Sequence, residues 1–185
     1  MLRIISGKYR HMIIATPNVN TTRPTTDKVR EALMSALGDK LINSTILDLF
    51  AGSGALGLES LSRGAKKAIF CDNNYLAYKT IKDNILKLKI EEETEVHKCS
   101  YQQLLNTLNE KIDIVYLDPP YAKIDLYQAK IDLYQIVTDF LIEHQLLNKD
   151  AIVVKECNKE LPFDERFSYH KRYQYGTIHV LIERK

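Results

Sequence analysis

One stretch narrows what this chain can become more than any other: Ile46-Leu47-Asp48-Leu49-Phe50-Ala51-Gly52-Ser53-Gly54-Ala55-Leu56-Gly57-Leu58-Glu59. Ile46 to Phe50 is an apolar run of the buried-strand type, and Ala55 to Leu61 reads as the start of a helix. The glycine-rich turn between them lets backbone approach a nucleotide-like ligand closely at a helix N-terminus. Gly52-x-Gly54-x-x-Gly57 satisfies the dinucleotide fingerprint, and Asp72 stands where a ribose-binding acid belongs. Read alone, the spacing suggests NAD, or an ordinary tight turn with no ligand.

Asp48 argues against NAD. A carboxylate four residues before the first glycine lies near the mouth of the loop, where a pyrophosphate would meet a like charge at a cost of roughly 1–4 kcal/mol. S-adenosylmethionine carries an ammonium and a sulfonium and no phosphate, so the same acid attracts it, directly or through water. A second anchor follows in Ile112 to Leu117, another buried-strand run, which ends in Asp118-Pro119-Pro120-Tyr121. Consecutive prolines forbid both strand pairing and helix initiation, so they fix a rigid exit from the strand. Together the two motifs resemble those of the amino-directed S-adenosylmethionine methyltransferases.

The 185 residues suit one compact domain with a small appendage, and an apolar content of 45% supports a real core. No apolar run reaches the ~18 residues of a membrane span, and the N-terminus has no signal-peptide core, so cytoplasm is the expected location. Cys71, Cys99 and Cys157 lack metal or redox spacing and read as reduced, mostly buried thiols. The scattered histidines form no ligand set, and no metal is expected. The net charge of +2 hides an asymmetry: residues 1–30 carry +5, residues 171–185 carry +3, and the middle is −6. Basic ends on an acidic body suggest a polyanion docked at the periphery, although the C-terminal cluster reads equally well as a solvated face.

Taken in order, Arg3 to Arg10 and His11 to Ala15 read as two short strands about Gly7. A polar loop over 16–26 delivers Thr25, Thr26 or Asp27 as the cap of a helix that Gly38 ends. Strands are expected at 45–50, 67–72, 95–98, 112–117 and 151–155, with helices from 55, over 74–89, 101–109 and 125–146. The runs 169–175 and 177–183 close the chain as an antiparallel hairpin about Gly176. The alternation implies an α/β fold: a Rossmann-like, doubly wound, mostly parallel seven-stranded sheet with that C-terminal hairpin. Residues 1–40 form a basic N-terminal extension of hairpin plus helix, and 41–185 the main domain. Ligands of such sheets bind beyond the carboxyl ends of the strands, where Asp48, Asp72, Ser100 and Asp118 all fall. A heptad, Ala122 to Gln128, is repeated at once as Ala129 to Gln135; one added heptad lengthens a helix without making a coiled coil.

Across nearly its whole length the chain resembles the RsmD family of bacterial 16S rRNA guanine-N2 methyltransferases. The resemblance is carried by residues 3–10, by Thr22-Arg23-Pro24-Thr25-Thr26-Asp27-Lys28-Val29-Arg30-Glu31-Ala32-Leu33, by the Asp48–Glu59 loop and by Asp118-Pro119-Pro120-Tyr121. It implies S-adenosylmethionine as donor and a guanine of 16S rRNA, in an assembling small subunit, as target; nothing in the sequence itself demands a partner subunit. Cofactor contacts are then expected from Asp48, Phe50, Ala51, Gly52, Ser53, Gly54, Asp72, Asn73, Ser100 and Tyr101. Catalysis falls to Asp118, Pro119, Pro120 and Tyr121, and RNA contacts to Arg3, Lys8, Arg10, Arg23, Thr26 and Arg30. The chain departs from the family pattern after two strands: Asp72 and Asn74 replace a Glu followed two residues on by an acid, and Ser100-Tyr101 replaces an Asp near the adenine. A DNA adenine methyltransferase shares Asp-Pro-Pro-Tyr but generally needs an added recognition region. An NAD(P) oxidoreductase leaves Asp48 unexplained, and a non-catalytic RNA-binding protein has no use for the loop.

Overall fold

The computed structural model describes residues 1–18, 27–119 and 127–185. Two short strands, β1 (Leu2–Arg3) and β2 (Ile13–Ile14), pair antiparallel, and α1 (Asp27–Leu37) follows. The body then alternates: β3 (Thr45–Asp48), α2 (Ala55–Ser62), β4 (Lys67–Cys71), α3 (Tyr75–Leu88), β5 (Thr94–His97), α4 (Tyr101–Thr107), β6 (Ile112–Leu117), α5 (Tyr127–Glu143) and β7 (Leu147–Cys157). It ends in β8 (Tyr169–Tyr175) and β9 (Ile178–Arg184). The seven-stranded sheet has the order β5-β4-β3-β6-β7-β9-β8, parallel from β5 to β7 and antiparallel at β7–β9 and β9–β8. The doubly wound sheet and its terminal hairpin are as the alternation implied.

From β3 the chain winds outward through β4 to β5, then returns past β3 to place β6 on its other side. Right-handed crossovers therefore set α2 and α3 on one face and α4 and α5 on the other. Two cores result. The first joins Ile46, Phe70, Ile114, Tyr116, Val154 and Ile182 to α1, α2, α3 and the N-terminal strands. The second joins Leu47, Ile69, Val115, Val153 and Leu181 to α4 and α5. Gly57 shows how tightly the first is built: a Cβ there would stand 2.3 Å from the Phe70 ring, so only glycine lets α2 lie this close to β4.

Several boundaries differ from the expected ones for reasons outside their own residues. The run Arg3–Arg10 is mostly not strand, because its N–H groups are taken by α2. The Glu59 carboxylate accepts from Ile5 and Ser6 at 2.8 and 3.0 Å, and Ser62 accepts from Lys8 and Tyr9. The expected strand 151–155 extends to Leu147–Cys157 because β6 pairs with it from Leu147 on one side and β9 to Cys157 on the other. The helix expected at 125–146 is described from Tyr127 and ends at Glu143, with Gln145 at φ +54° turning the chain into β7. The first copy of the heptad lies mainly outside the described residues; the second forms part of α5. No helix among the described residues is long and apolar enough to cross a membrane.

Candidate active site at the sheet's switch point

β3 and β6 are neighbours whose connections leave in opposite directions, which opens a crevice beyond their carboxyl ends. Asp48 ends β3, Asp118 follows β6 and Asp72 follows β4, so three acids meet at one mouth. Asp48 is only 3% exposed and accepts backbone N–H groups of Gly57 and Phe50. Burial, reinforced by the nearby Asp118 and Asp72, outweighs those donors and pushes its carboxyl up to about 7.

The glycine turn is held from three sides. Asp72 accepts from Gly52 N and Asn74 N, each at 2.9 Å, so one carboxylate ties the turn to the start of α3. Cys71 O accepts from Ala51 N, and the Asn84 amide donates to Ser53 O at 3.1 Å. Gly52 and Gly54 sit at φ +56° and +77°, the left-handed region that side-chain-bearing residues avoid. A Cβ at Gly52 would meet nothing within 4 Å, so open space lies beside the turn. Three acids gathered at this mouth suit a cationic ligand and repel a pyrophosphate.

The far wall is aromatic. Phe50 and Tyr101 approach at 5.7 Å between ring centroids, tilted by 54°. Ser100 faces inward along the chain instead: its Oγ accepts from Gln103 N while its own N–H donates to Gln103 Oε1, a capping box that starts α4. What Ser100 can still offer a ligand is its hydroxyl hydrogen. Asn73 is exposed at the rim, and Asn74 caps α3 through Leu76 N and Ala77 N. Pro119 is buried behind Asp118, whereas Pro120 and Tyr121 lie outside the described residues.

Reasoning from sequence missed the groups behind Asp118. Lys130 is buried on the apolar face of α5 with Tyr134, Val137 and Leu141, and burial lowers its pKa against the pull of Asp118, Cys157 and Glu156. The signal was present: a lysine in register with that apolar stripe points inward. Glu156 is likewise buried at the end of β7, where Tyr134 Oη donates to its carbonyl.

The residues assigned to RNA do not gather at the mouth. Arg30 is a correction. It is 1% exposed, donates to Arg3 O and Asp27, and lies 3.8 Å from the equally buried Glu59, so it closes the inside of the extension and is not open to phosphate. Arg3, Lys8 and Arg10 are exposed. Lys8 adjoins Ser62, at the end of α2 away from the glycine turn, about 12 Å off by helical rise. Further along, Ala15 exchanges hydrogen bonds with Asn84, which also holds Ser53, so the extension climbs from the foot of α2 towards the turn. Arg23 and Thr26 lie outside the described residues. Among the described residues no cluster of acids, histidines or cysteines is arranged to hold a metal.

Comparison with known proteins agrees with this geometry. The ribosomal RNA small subunit methyltransferase D of Haemophilus influenzae is 33% identical over 87% of this chain and 81% of its own length. The Bacillus subtilis protein provisionally named as the rRNA methyltransferase YlbH is 30% identical over 100% and 99%. An Escherichia coli structure, provisionally the methyltransferase yhhF, superimposes with a TM-score of 0.82 at 29% identity, covering 100% of this chain and 97% of that one. The family model described as Conserved hypothetical protein 95 matches residues 2–184, and with these relatives it establishes that the chain belongs to the RsmD family, on a Rossmann-like methyltransferase fold.

Proposed function

We propose that this protein methylates the exocyclic N2 amine of a guanine in 16S rRNA, with S-adenosylmethionine as donor and an assembling small ribosomal subunit as the physiological substrate. The observation that carries the reading is the pairing of buried Asp48 with Asp118 across the switch point. Family membership and relatives named for small-subunit rRNA methylation support the substrate class.

In this reading Asp48 and Asp72 hold the donor's positive and hydroxyl groups, Phe50, Ala51 and Gly52–Gly54 line it, and Asn73, Ser100 and Tyr101 border the adenine side. S-adenosylmethionine supplies an electrophilic methyl group on a sulfonium. Guanine N2 is a weak nucleophile, because its lone pair is delocalised into the ring. Asp118 accepts one N–H and the Pro119 carbonyl, fixed by the Pro119-Pro120 unit, accepts another, which frees that lone pair and favours charge developing on nitrogen. Tyr121 offers a ring face to the extruded base. The proton released from N2 passes to Asp118 or water. Arg3, Lys8, Arg10 and Arg23 contact phosphates and fix register without reading bases. The chain works as a monomer in the cytoplasm.

Transfer of labelled methyl to naked 16S rRNA, to the intact small subunit and to DNA, followed by mapping of the modified base, tests this. Label on guanine N2 of the RNA is expected; label on DNA adenine overturns the substrate reading. Asp118→Ala is expected to keep donor affinity while turnover drops at least ~100-fold. Arg10→Ala should weaken RNA binding alone, and an equal loss of donor affinity assigns Arg10 a structural role.

A further inference from the structure

We propose that the face of the C-terminal hairpin that carries Tyr169, Lys171, Tyr173 and Tyr175 is a stacking platform for single-stranded RNA flanking the target base. It rests on the rRNA reading above.

β8 is the edge strand of the sheet, and strand alternation puts Tyr169, Lys171, Tyr173 and Tyr175 on one of its faces. Register with β9 sets them beside Arg184, Ile182, Val180 and Ile178, on the side of the sheet that carries α1, α2 and the N-terminal strands. Since Cys157 pairs with His179, the turn at Gly176 lies at the carboxyl end of the parallel strands, the same end as Asp118. The platform's turn therefore lies at the cleft's end of the sheet, three strands from β6, whereas Lys8 stands at the foot of α2, at the opposite end.

Its chemistry is that of a single-strand binder. The Tyr173 and Tyr175 rings are partly buried against the core, keep some exposed surface and are nearly parallel, 6.2 Å apart at 10°. Lys171 Nζ stands 5.0 Å from the Tyr173 centroid, and the Arg184 guanidinium 5.1 Å from that of the exposed Tyr169. A lone lysine would suffice to protect a sheet edge from pairing. A row of aromatic rings bordered by cations offers π-faces to bases and charge to phosphates, the pattern of sequence-tolerant single-strand sites. Residues 171–185 carry +3, which matches a polyanion and opposes a cationic or purely apolar partner.

The test measures binding of the full chain to a fluorescent oligoadenylate of about 12 nucleotides and to deproteinised 16S rRNA. Tyr173→Leu/Tyr175→Leu keeps apolar bulk where the rings touch the core and is expected to weaken both about tenfold, with S-adenosylmethionine affinity and melting temperature retained. The matching Tyr→Phe pair should restore binding. Lys171→Gln should reduce the salt slope by ~0.7, one phosphate on a single strand. Unchanged RNA affinity in the Leu pair overturns the platform while leaving the rRNA reading in place. So does a concentration-dependent dimer of the wild type that the Leu pair abolishes, since the face is then a surface between copies. A wild-type chain that binds neither RNA overturns both.

Discussion

In the proposed function, Asp48 couples donor binding to pH in a way that its replacement by asparagine isolates. Its carboxyl is held up to about 7 in the folded chain, against an unfolded value near ~4. Ionising it therefore costs more in the folded state, so stability falls as pH rises from about 4 to about 7 and is level above. The full amplitude is about 4 kcal/mol, three pKa units at ~1.4 kcal/mol each. A cationic donor prefers the ionised acid. Between about pH 8 and about pH 6 the ionised fraction drops roughly tenfold, and donor affinity should drop with it. The donor's own amino group titrates near pH ~8, so the quantity to read is the difference between wild type and Asp48→Asn in calorimetric titrations at both pH values. Asparagine keeps an oxygen for the Gly57 and Phe50 N–H groups and loses the confined charge. Without ligand, Asp48→Asn should melt no lower than wild type at about pH 8, yet bind the donor more weakly and without the tenfold step. Parallel pH profiles for the two proteins, or a clearly lower melting temperature for the variant, would refute the reasoning.

The other predictions concern what holds the site in place. Gly57→Ala forces a methyl group into the Phe70 ring and should cost about 2 kcal/mol, read as a fall in melting temperature of roughly 6 °C, with Phe70→Leu recovering part of it. Glu59→Gln leaves Arg30 without its buried countercharge, Asp27 remaining on the exposed side, and weakens the hold on Ile5 and Ser6. It should cost about 3 kcal/mol and expose the first residues to limited proteolysis before the body unfolds.

Much of the site could be read along the chain because its parts are local. Strand β6 was expected at 112–117 and stands at Ile112–Leu117, since an apolar run bounded by Lys111 and Asp118 has no other use in a buried parallel strand. Asp48, Asp72 and Asp118 were expected to converge, because parallel strands in a doubly wound sheet deliver their carboxyl ends to one edge. The capping box of Ser100 is legible too, in Ser100-x-x-Gln103, and it engages the hydroxyl oxygen at the position where a ligand contact is expected.

Arg30 marks the limit. A charge count registers it as a cation, while the direction in which it points depends on Glu59, which is brought near only by folding. The same holds for β1 and β2, whose neighbours Ile5 and Ser6 give their N–H groups to α2, and for β7, whose length follows from strands on both of its sides. By itself the sequence determined the order of strands and helices, the glycine turn and the acids at the strand ends, because periodicity and turn chemistry act over a few residues. The tertiary structure alone decided that Arg30 is buried, how far Lys8 stands from the glycine turn, and that the turn after Tyr175 lies at the same end of the sheet as Asp118, because burial, distance and long-range pairing are properties of the packed chain.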